Sequence, residues 1–253
     1  MSSATLYALL AGIGILPSLI WLTFYLRKDC HPEPKALITK TFLMGIIIAP
    51  AVLVFQLLFA ELVSQLCGCR LSTRDTGFFL WGAFVEEFFK FAAVWLVALK
   101  TADFDEPVDA MIYMITAGLG FAAMENIIYF VRTVQQGMAL QFSFNEHLNA
   151  TLAVWTLRFT GATFLHALAS GLVGYFLAMS WFYHQHKCTL IITGLAIATL
   201  FHFTFNLFVS LPGDNQQLTA LSLSLALLIA MAFLVSVLFD KIRERHAKRV
   251  QLV

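Results

Sequence analysis

Charged residues are scarce in this 253-residue sequence, at 12% of the chain against roughly a quarter in a soluble domain. The net charge is only +1, which argues against a nucleic-acid partner, because binding phosphates needs a basic surface. Cysteine is also rare. The pair Cys67 and Cys69 is a weak metal signal that we interpret as a loop feature, since a disulfide between them would be strained. The N-terminus lacks the basic segment of a cleavable signal peptide.

Hydrophobic residues, by contrast, make up 60% of the sequence and form seven long apolar segments. These run from about Thr5 to Leu26, Ala36 to Leu66, Thr76 to Leu99, Val108 to Val134, Leu152 to Tyr183, Thr189 to Leu211 and Leu218 to Phe239, with a turn at residues 212–215. Each is long enough for the roughly 20 residues that span a bilayer. The sequence therefore predicts an all-α polytopic membrane protein, a single helical bundle of about seven transmembrane helices over residues 1–253.

The distribution of lysine and arginine between the loops predicts the orientation of the bundle. With the N-terminus outside, the cytoplasmic side carries Arg27, Lys28, Lys35, Lys40, Lys100, Lys187, Lys241, Arg243, Arg245, Lys248 and Arg249, and the outer side carries Arg70, Arg74 and Arg132. Because short cytoplasmic loops are enriched in these residues, we predict that the N-terminus is outside and the C-terminus is inside.

Ionisable and amide side chains interrupt four of the apolar segments. They are Glu86, Glu87 and Lys90 in the third segment, Glu125 and Asn126 in the fourth, His166 in the fifth, and His202 and Asn206 in the sixth. At 1.5 Å per residue, the carboxylates and histidines lie roughly 13 to 21 Å below the outer helix ends. Because ionisable residues inside a membrane are costly and mark functional sites, we expect one site in a single layer of the bundle.

Each polar group also has a structural interpretation. Lys90 is spaced to pair with either Glu86 or Glu87 on the same helix, although one lysine cannot neutralise both. Glu125 alone could make a structural hydrogen bond, and His202 with Asn206 could join two helices through interhelical hydrogen bonds. Taken together at one depth, glutamate and histidine suit zinc, and a spare carboxylate suits a general base.

The markers in this sequence resemble those of the PrsW family of intramembrane proteases, over Cys30 to about Asn206. They are His31-Pro32-Glu33-Pro34-Lys35, Glu86-Glu87-x-x-Lys90, the stretch from Gly118-Leu119-Gly120-Phe121 through Glu125-Asn126 to Tyr129, His166, and His202-x-x-x-Asn206. The chain is distantly similar to the CAAX prenyl-protein processing proteases, which carry histidine where this chain has Glu125. The resemblance implies a multi-pass protease of the bacterial inner membrane that cuts membrane-anchored proteins, in some members an anti-sigma factor.

The roles expected at this site follow from the needs of peptide hydrolysis. Glu86 or Glu87 would activate water as general base. The expected zinc ligands are Glu87, Glu125, His166 and His202, although the two adjacent glutamates can exchange the roles of base and ligand. Asn206 would donate to the oxyanion, and the supporting residues are Lys90, Asn126 and Phe121.

Three other interpretations remain open from the sequence. In a metal-free, glutamate-type protease, a glutamate and His166 activate the water, while His202 and Asn206 form the oxyanion site. An ion or proton transporter also uses carboxylates and histidines, but it typically shows internal repeats, and we find none. A non-catalytic scaffold leaves the charges in apolar segments unexplained.

The predicted topology has a direct test. A reporter fused after Val253 should give a cytoplasmic signal, and one inserted in the loop at residues 69–74 should give an extracytoplasmic signal, because the basic loops stay inside. An extracytoplasmic signal from the C-terminal fusion would contradict the orientation.

Overall fold

The computed structural model describes residues 3–29, 31–68, 75–210 and 217–251, which form helices and short connections without a β-strand. In chain order the helices are α1 (Ser3–Leu26), α2 (Lys35–Cys67), α3 (Thr76–Val97), α4 (Asp109–Ala139), α5 (Phe144–Leu157), a π-helix (Arg158–Ala162), α6 (Thr163–Phe182), a 3₁₀ turn (His184–His186), α7 (Lys187–Val209) and α8 (Gln217–Val250). Cys69 and the predicted turn at residues 212–215 lie outside the described ranges.

The seven predicted apolar segments are confirmed as helices. Six helical stretches are long and apolar enough to cross a membrane, namely α1, α2, α4, the continuous α5–α6 stretch, α7 and α8. The remaining predicted segment, the third along the chain, is α3. It is not among these six because it carries Glu86, Glu87 and Lys90 within its 22 residues. The chain is thus an all-α, multi-pass integral membrane protein, and its orientation stays a prediction.

The two largest departures from the boundaries predicted from hydropathy are at the start of the fifth segment and at the end of α8. The fifth segment begins at Phe144 rather than near Leu152, because Ser143 and Glu146 form a capping box that starts the helix in polar sequence. The backbone N–H of Ser143 donates to Glu146 Oε2 at 2.7 Å. α8 continues past Phe239 as far as Val250. Hydropathy marks the apolar part of a helix only, so it missed both polar ends.

The core of the bundle is formed by α4 and α6. Most residues of these two helices are buried, whereas α1, α2, α7 and α8 turn most of their surface outward. α4 packs against α1, α2, α3 and α6, and α7 packs between α3 and α6. An apolar helix surrounded by other helices must be hydrophobic on every side, as α4 is from Ala110 to Ala123.

Glycines allow the central helices to approach closely. At Gly120 an added Cβ would meet the carbonyl of Phe42 and the Cα of Gly45 on α2, and at Gly118 it would meet the carbonyl oxygen of His166 at 2.9 Å. The Gly118–Gly120 stretch of α4 therefore packs closely against both α2 and α6. The second contact holds the Glu125-bearing helix directly against the His166-bearing helix.

At the end of the bundle that is cytoplasmic in the predicted orientation, polar contacts join the loop between α1 and α2 to α4 and to the loop that precedes α4. His31 Nδ1 lies 2.7 Å from Glu106 Oε1, and Tyr113 on α4 donates a hydrogen bond to Glu33. Burial raises the pKa of the Glu33 carboxyl. These contacts tie the loop between α1 and α2 to α4, away from the histidines and glutamates of the predicted site.

The close contact between Gly120 on α4 and helix α2 gives a prediction about stability. Gly120→Ala should lower the free energy of unfolding by about 1–3 kcal/mol, because the new methyl group has no space beside Phe42. Gly12→Ala is the matched control, since no atom lies within 4 Å of its Cβ position. Thermal unfolding in detergent measures both variants. A Gly120→Ala protein as stable as the Gly12→Ala protein would contradict the close crossing.

Candidate active site

Four helices bring the predicted site residues to one cavity of about 990 Å³. Glu86 comes from α3, Glu125 from α4, His166 from α6, and His202 and Asn206 from α7; all five line the cavity. The rings of His166 and His202 are 5.1 Å apart between centroids. The structure therefore brings these five side chains together, and their common depth in a membrane stays a prediction.

The two adjacent glutamates face different surroundings. Glu87 is fully buried, and its Oε1 accepts from Lys90 Nζ at 2.7 Å and lies 2.8 Å from His202 Nδ1. Glu86 lines the cavity, and its Oε2 lies 3.7 Å from His202 Nε2. Neighbouring helix positions point about 100° apart, so one carboxylate anchors side chains inside the protein while the other faces the cavity.

Lys90 connects the histidines through its fully buried amine. Besides Glu87, its Nζ lies 2.7 Å from His166 Nδ1 and 4.7 Å from the ring centroid of Phe121. An ammonium group only donates, so it makes Nδ1 of His166 an acceptor and leaves the proton on Nε2. That Nε2 lies 2.9 Å from Glu125 Oε2, to which it can donate. Lys90 and Phe121 thus lie next to His166, and their supporting roles stay a prediction.

His202 has the opposite arrangement of its ring nitrogens. Its Nδ1 donates to the Glu87 carboxylate, which leaves the lone pair of Nε2 directed towards Glu86. A carboxylate behind one imidazole nitrogen is the usual support of a metal-binding histidine, because it fixes the tautomer and the ring orientation.

Arg158 is a site residue that the sequence interpretation missed. It begins the π-helix, and its Nη2 lies 2.5 Å from Glu125 Oε2 while its Nε donates to Asn126 Oδ1. The Nδ2 of Asn126 donates to the carbonyl of Gly14 on α1 and to the Thr163 hydroxyl on α6, so Asn126 joins three helices. Its expected supporting role stays a prediction. An arginine inside an apolar segment was the signal that could have identified Arg158.

Gln56 on α2 is the second site residue that was missed. Its side-chain amide donates to Glu86 Oε1 at 3.2 Å and to the carbonyl of Gly82 at 3.3 Å. A lone polar residue on a buried helix face was the available signal, although it carries no charge.

Asn206 lies on the same face of α7 as His202, one turn later. Among the described residues its side chain has no hydrogen-bond partner, and it lines the cavity. Its amide is therefore available to a bound molecule, as an oxyanion donor must be.

The donor set fits zinc in composition and spacing. Glu86, His166 and His202 each offer one ligand atom, and these atoms lie within 4.8 Å of one another. The oxygen atoms of Glu87 and Glu125 that contact the histidines are also paired with Lys90 and Arg158, respectively. The geometry favours Glu86 as the carboxylate ligand, and the expected set with Glu87 and Glu125 stays a prediction.

Comparison with known proteins places the chain in a family. The family model described as PrsW family intramembrane metalloprotease matches residues 33–238. The chain belongs to the PrsW family. The protease PrsW of Geobacillus kaustophilus is 34% identical over 121 residues, a match that covers 47% of this chain and 51% of that protein. The protease PrsW of Halalkalibacterium halodurans is 26% identical over 196 residues, covering 76% and 80% of the two chains. No solved structure matches the chain.

This result confirms the resemblance inferred from the motifs. The chain aligns with about half the length of the first of these relatives and with about four fifths of the second. The matched region contains every site residue on α3, α4, α6 and α7, as well as Gln56 and Arg158.

The buried contacts of Lys90 lead to a prediction. Lys90→Met keeps the length of the side chain but leaves Glu87 buried without its cation, so we expect a loss of about 3–5 kcal/mol in unfolding free energy, or a folded protein with impaired activity. Thermal unfolding in detergent and cleavage of a membrane-anchored reporter protein measure the two effects.

Lys100→Met is the control for this prediction, because Lys100 is exposed and lies over the ring of Trp95 at 4.0 Å. A Lys90→Met protein with the parental melting temperature and activity would show that Lys90 is only a packing residue.

Proposed function

We propose that the chain is an intramembrane endopeptidase that hydrolyses a peptide bond in or near the membrane segment of a membrane-anchored protein. The observation that carries the proposal is the cavity, where Glu86, His166, His202 and Asn206 line one wall while Glu87 and Lys90 are buried behind them. Hydrolysis needs a base for the attacking water, a group that polarises the carbonyl and a proton donor for the leaving amine. The carboxylates, imidazoles and amide that line the cavity are groups of these kinds.

Glu86 and Glu125 are the carboxylates that line the cavity within the described residues. In the proposed reaction, the oxygen of a water molecule attacks the peptide carbonyl carbon and one of these carboxylates takes the water proton. The side-chain N–H of Asn206 donates to the oxyanion that forms. The carbon–nitrogen bond then breaks, and the leaving amine receives the proton from the carboxylic acid.

Zinc belongs to this proposal, and Glu86, His166 and His202 would hold it. When bound, zinc lowers the pKa of a coordinated water and polarises a carbonyl oxygen. The hydrogen bond from His202 Nδ1 to Glu87 would hold the other ring nitrogen ready as a ligand. With Glu86 in the ligand set, Glu125 is the carboxylate left to accept the water proton.

A metal-free protease is the second candidate, and the contact between Lys90 and His166 favours it. The lysine ammonium keeps a proton on His166 Nε2, so His166 serves as a donor there rather than as a ligand. Glu86 then acts as the base, with His202 and Asn206 beside the oxyanion. Family membership favours both protease versions over an ion or proton transporter.

The proposed substrate class follows from the surroundings of the site. The cavity is lined by apolar side chains of α2, α3, α7 and α8, including Leu53, Phe79, Leu221 and Leu225. Such walls suit an apolar membrane segment. We propose a single-pass membrane protein, such as an anti-sigma factor, as substrate and a bacterial inner membrane as the location, since the relatives are bacterial proteins.

The catalytic assignment makes a further prediction. Glu86→Gln keeps the shape of the side chain and removes its charge, so cleavage should fall by about 10²- to 10⁴-fold, and Glu87→Gln, His166→Ala and His202→Ala should act in the same direction. Cleavage of a purified single-pass reporter in proteoliposomes measures the loss. Elemental analysis of the same samples shows whether zinc is bound and whether the histidine variants lose it.

Two exposed residues supply the controls. Glu61→Gln on α2 and His184→Ala in the 3₁₀ turn should cut at the parental rate, because both positions are outside the cavity. A folded His166→Ala, His202→Ala double variant that cuts at the parental rate would refute the site. Full cleavage by a zinc-free parent would select the metal-free version.

A further inference from the structure

Gln56 lies deep in α2, a helix in which the sequence interpretation placed no site residue. It is only 8% exposed, and its neighbours Phe55 and Leu57 are apolar. A buried amide without partners costs free energy, so the hydrogen bonds of Gln56 explain its position. Both bonds go to α3, the helix that carries the adjacent glutamates.

The two acceptors fix the orientation of the Gln56 amide. Its Nε2 donates to Glu86 Oε1 at 3.2 Å and to the carbonyl of Gly82 at 3.3 Å. A carboxylate oxygen and a carbonyl oxygen can only accept from this group, so the NH₂ end must face α3. Gly82 also gives the amide its space, since an added Cβ there would lie 3.3 Å from Nε2.

The contact acts on one oxygen of Glu86 and leaves the other free. Oε1 is held by Gln56, whereas Oε2 has no hydrogen-bond partner among the described residues and lies 3.7 Å from His202 Nε2. Lys90 Nζ, 3.9 Å from the same Oε2, is a competing partner one helical turn away. Without Gln56, the carboxylate would be free to turn towards the lysine and away from the cavity.

We propose that Gln56 is a positioning residue that holds the Glu86 carboxylate in its cavity-facing orientation and keeps its 3.9 Å ion pair with Lys90 from shortening. The inference rests on the proposed function, because it concerns the same carboxylate. It assigns α2 a direct part in the site, through a residue that acts on Glu86 rather than on the substrate.

The kinetic test uses Gln56→Met, which keeps the volume of the side chain and removes its donor. We expect kcat to fall by about 10- to 100-fold with KM unchanged, because a misplaced carboxylate affects the chemical step rather than binding. Gln65→Met on the same helix is the matched control, since Gln65 is exposed and, within the described part of the chain, its amide bonds Glu61 alone. A packing role for Gln56 predicts a parental kcat, because methionine fills the same space.

A second measurement does not depend on activity. Melting temperatures of Gln56→Met, Glu86→Ala and the double variant should be non-additive, with the double shift smaller than the sum, because both changes remove one contact. Gln65→Met combined with Glu86→Ala should be additive.

The inference requires both results. A parental kcat, or additive melting shifts for Gln56 and Glu86, would overturn it. If the parental protein fails to cut the reporter, the proposed function fails instead, and the melting cycle alone decides whether Gln56 holds Glu86.

Discussion

The site depends on the pairing of the buried Lys90 ammonium group with Glu87 and His166. A charge in an apolar bundle is tolerated only with partners, and Lys90 has Glu87 and His166 at 2.7 Å each. These contacts join α3 to α6, and Glu87 extends them to His202 on α7. The same need for pairing joins Glu125 on α4 to Arg158 in the π-helix. Charge compensation therefore assembles the helices around the cavity.

The pairings divide the polar residues into two groups. Glu87, Lys90 and Asn126 are fully buried and hold other side chains, whereas Glu86, His166, His202 and Asn206 line the cavity. The fully buried residues fix the orientation of the residues that line the cavity. A site of this kind gains from rigidity, because reacting groups must be held within fractions of an ångström. The glycine contacts of α4 with α2 and α6 supply the same rigidity at the level of the backbone.

The site also depends on residues that carry no chemistry of their own. Arg158 reaches Glu125 from a π-helix, a local widening of the helix that is frequent at functional sites. Gln56 reaches Glu86 from α2 across the space left by Gly82. Each compensates or orients one of the two carboxylates of the cavity, so Glu86 and Glu125 differ in their surroundings: one is held by a neutral amide and the other by a guanidinium group.

The sequence by itself determined the helical membrane fold, the family, and the depth at which Glu86, Glu125, His166 and His202 meet, because apolar length and residue spacing fix how far each lies along its helix. It could not determine which way a side chain turns around that helix. Only the tertiary structure separated buried Glu87 from cavity-facing Glu86, brought Gln56 to Glu86 and brought Arg158 to Glu125. These two contacts join residues 30 and 33 positions apart on different elements. The rotation of each helix about its axis and its packing against neighbouring helices decide such contacts, and neither can be inferred from the local sequence.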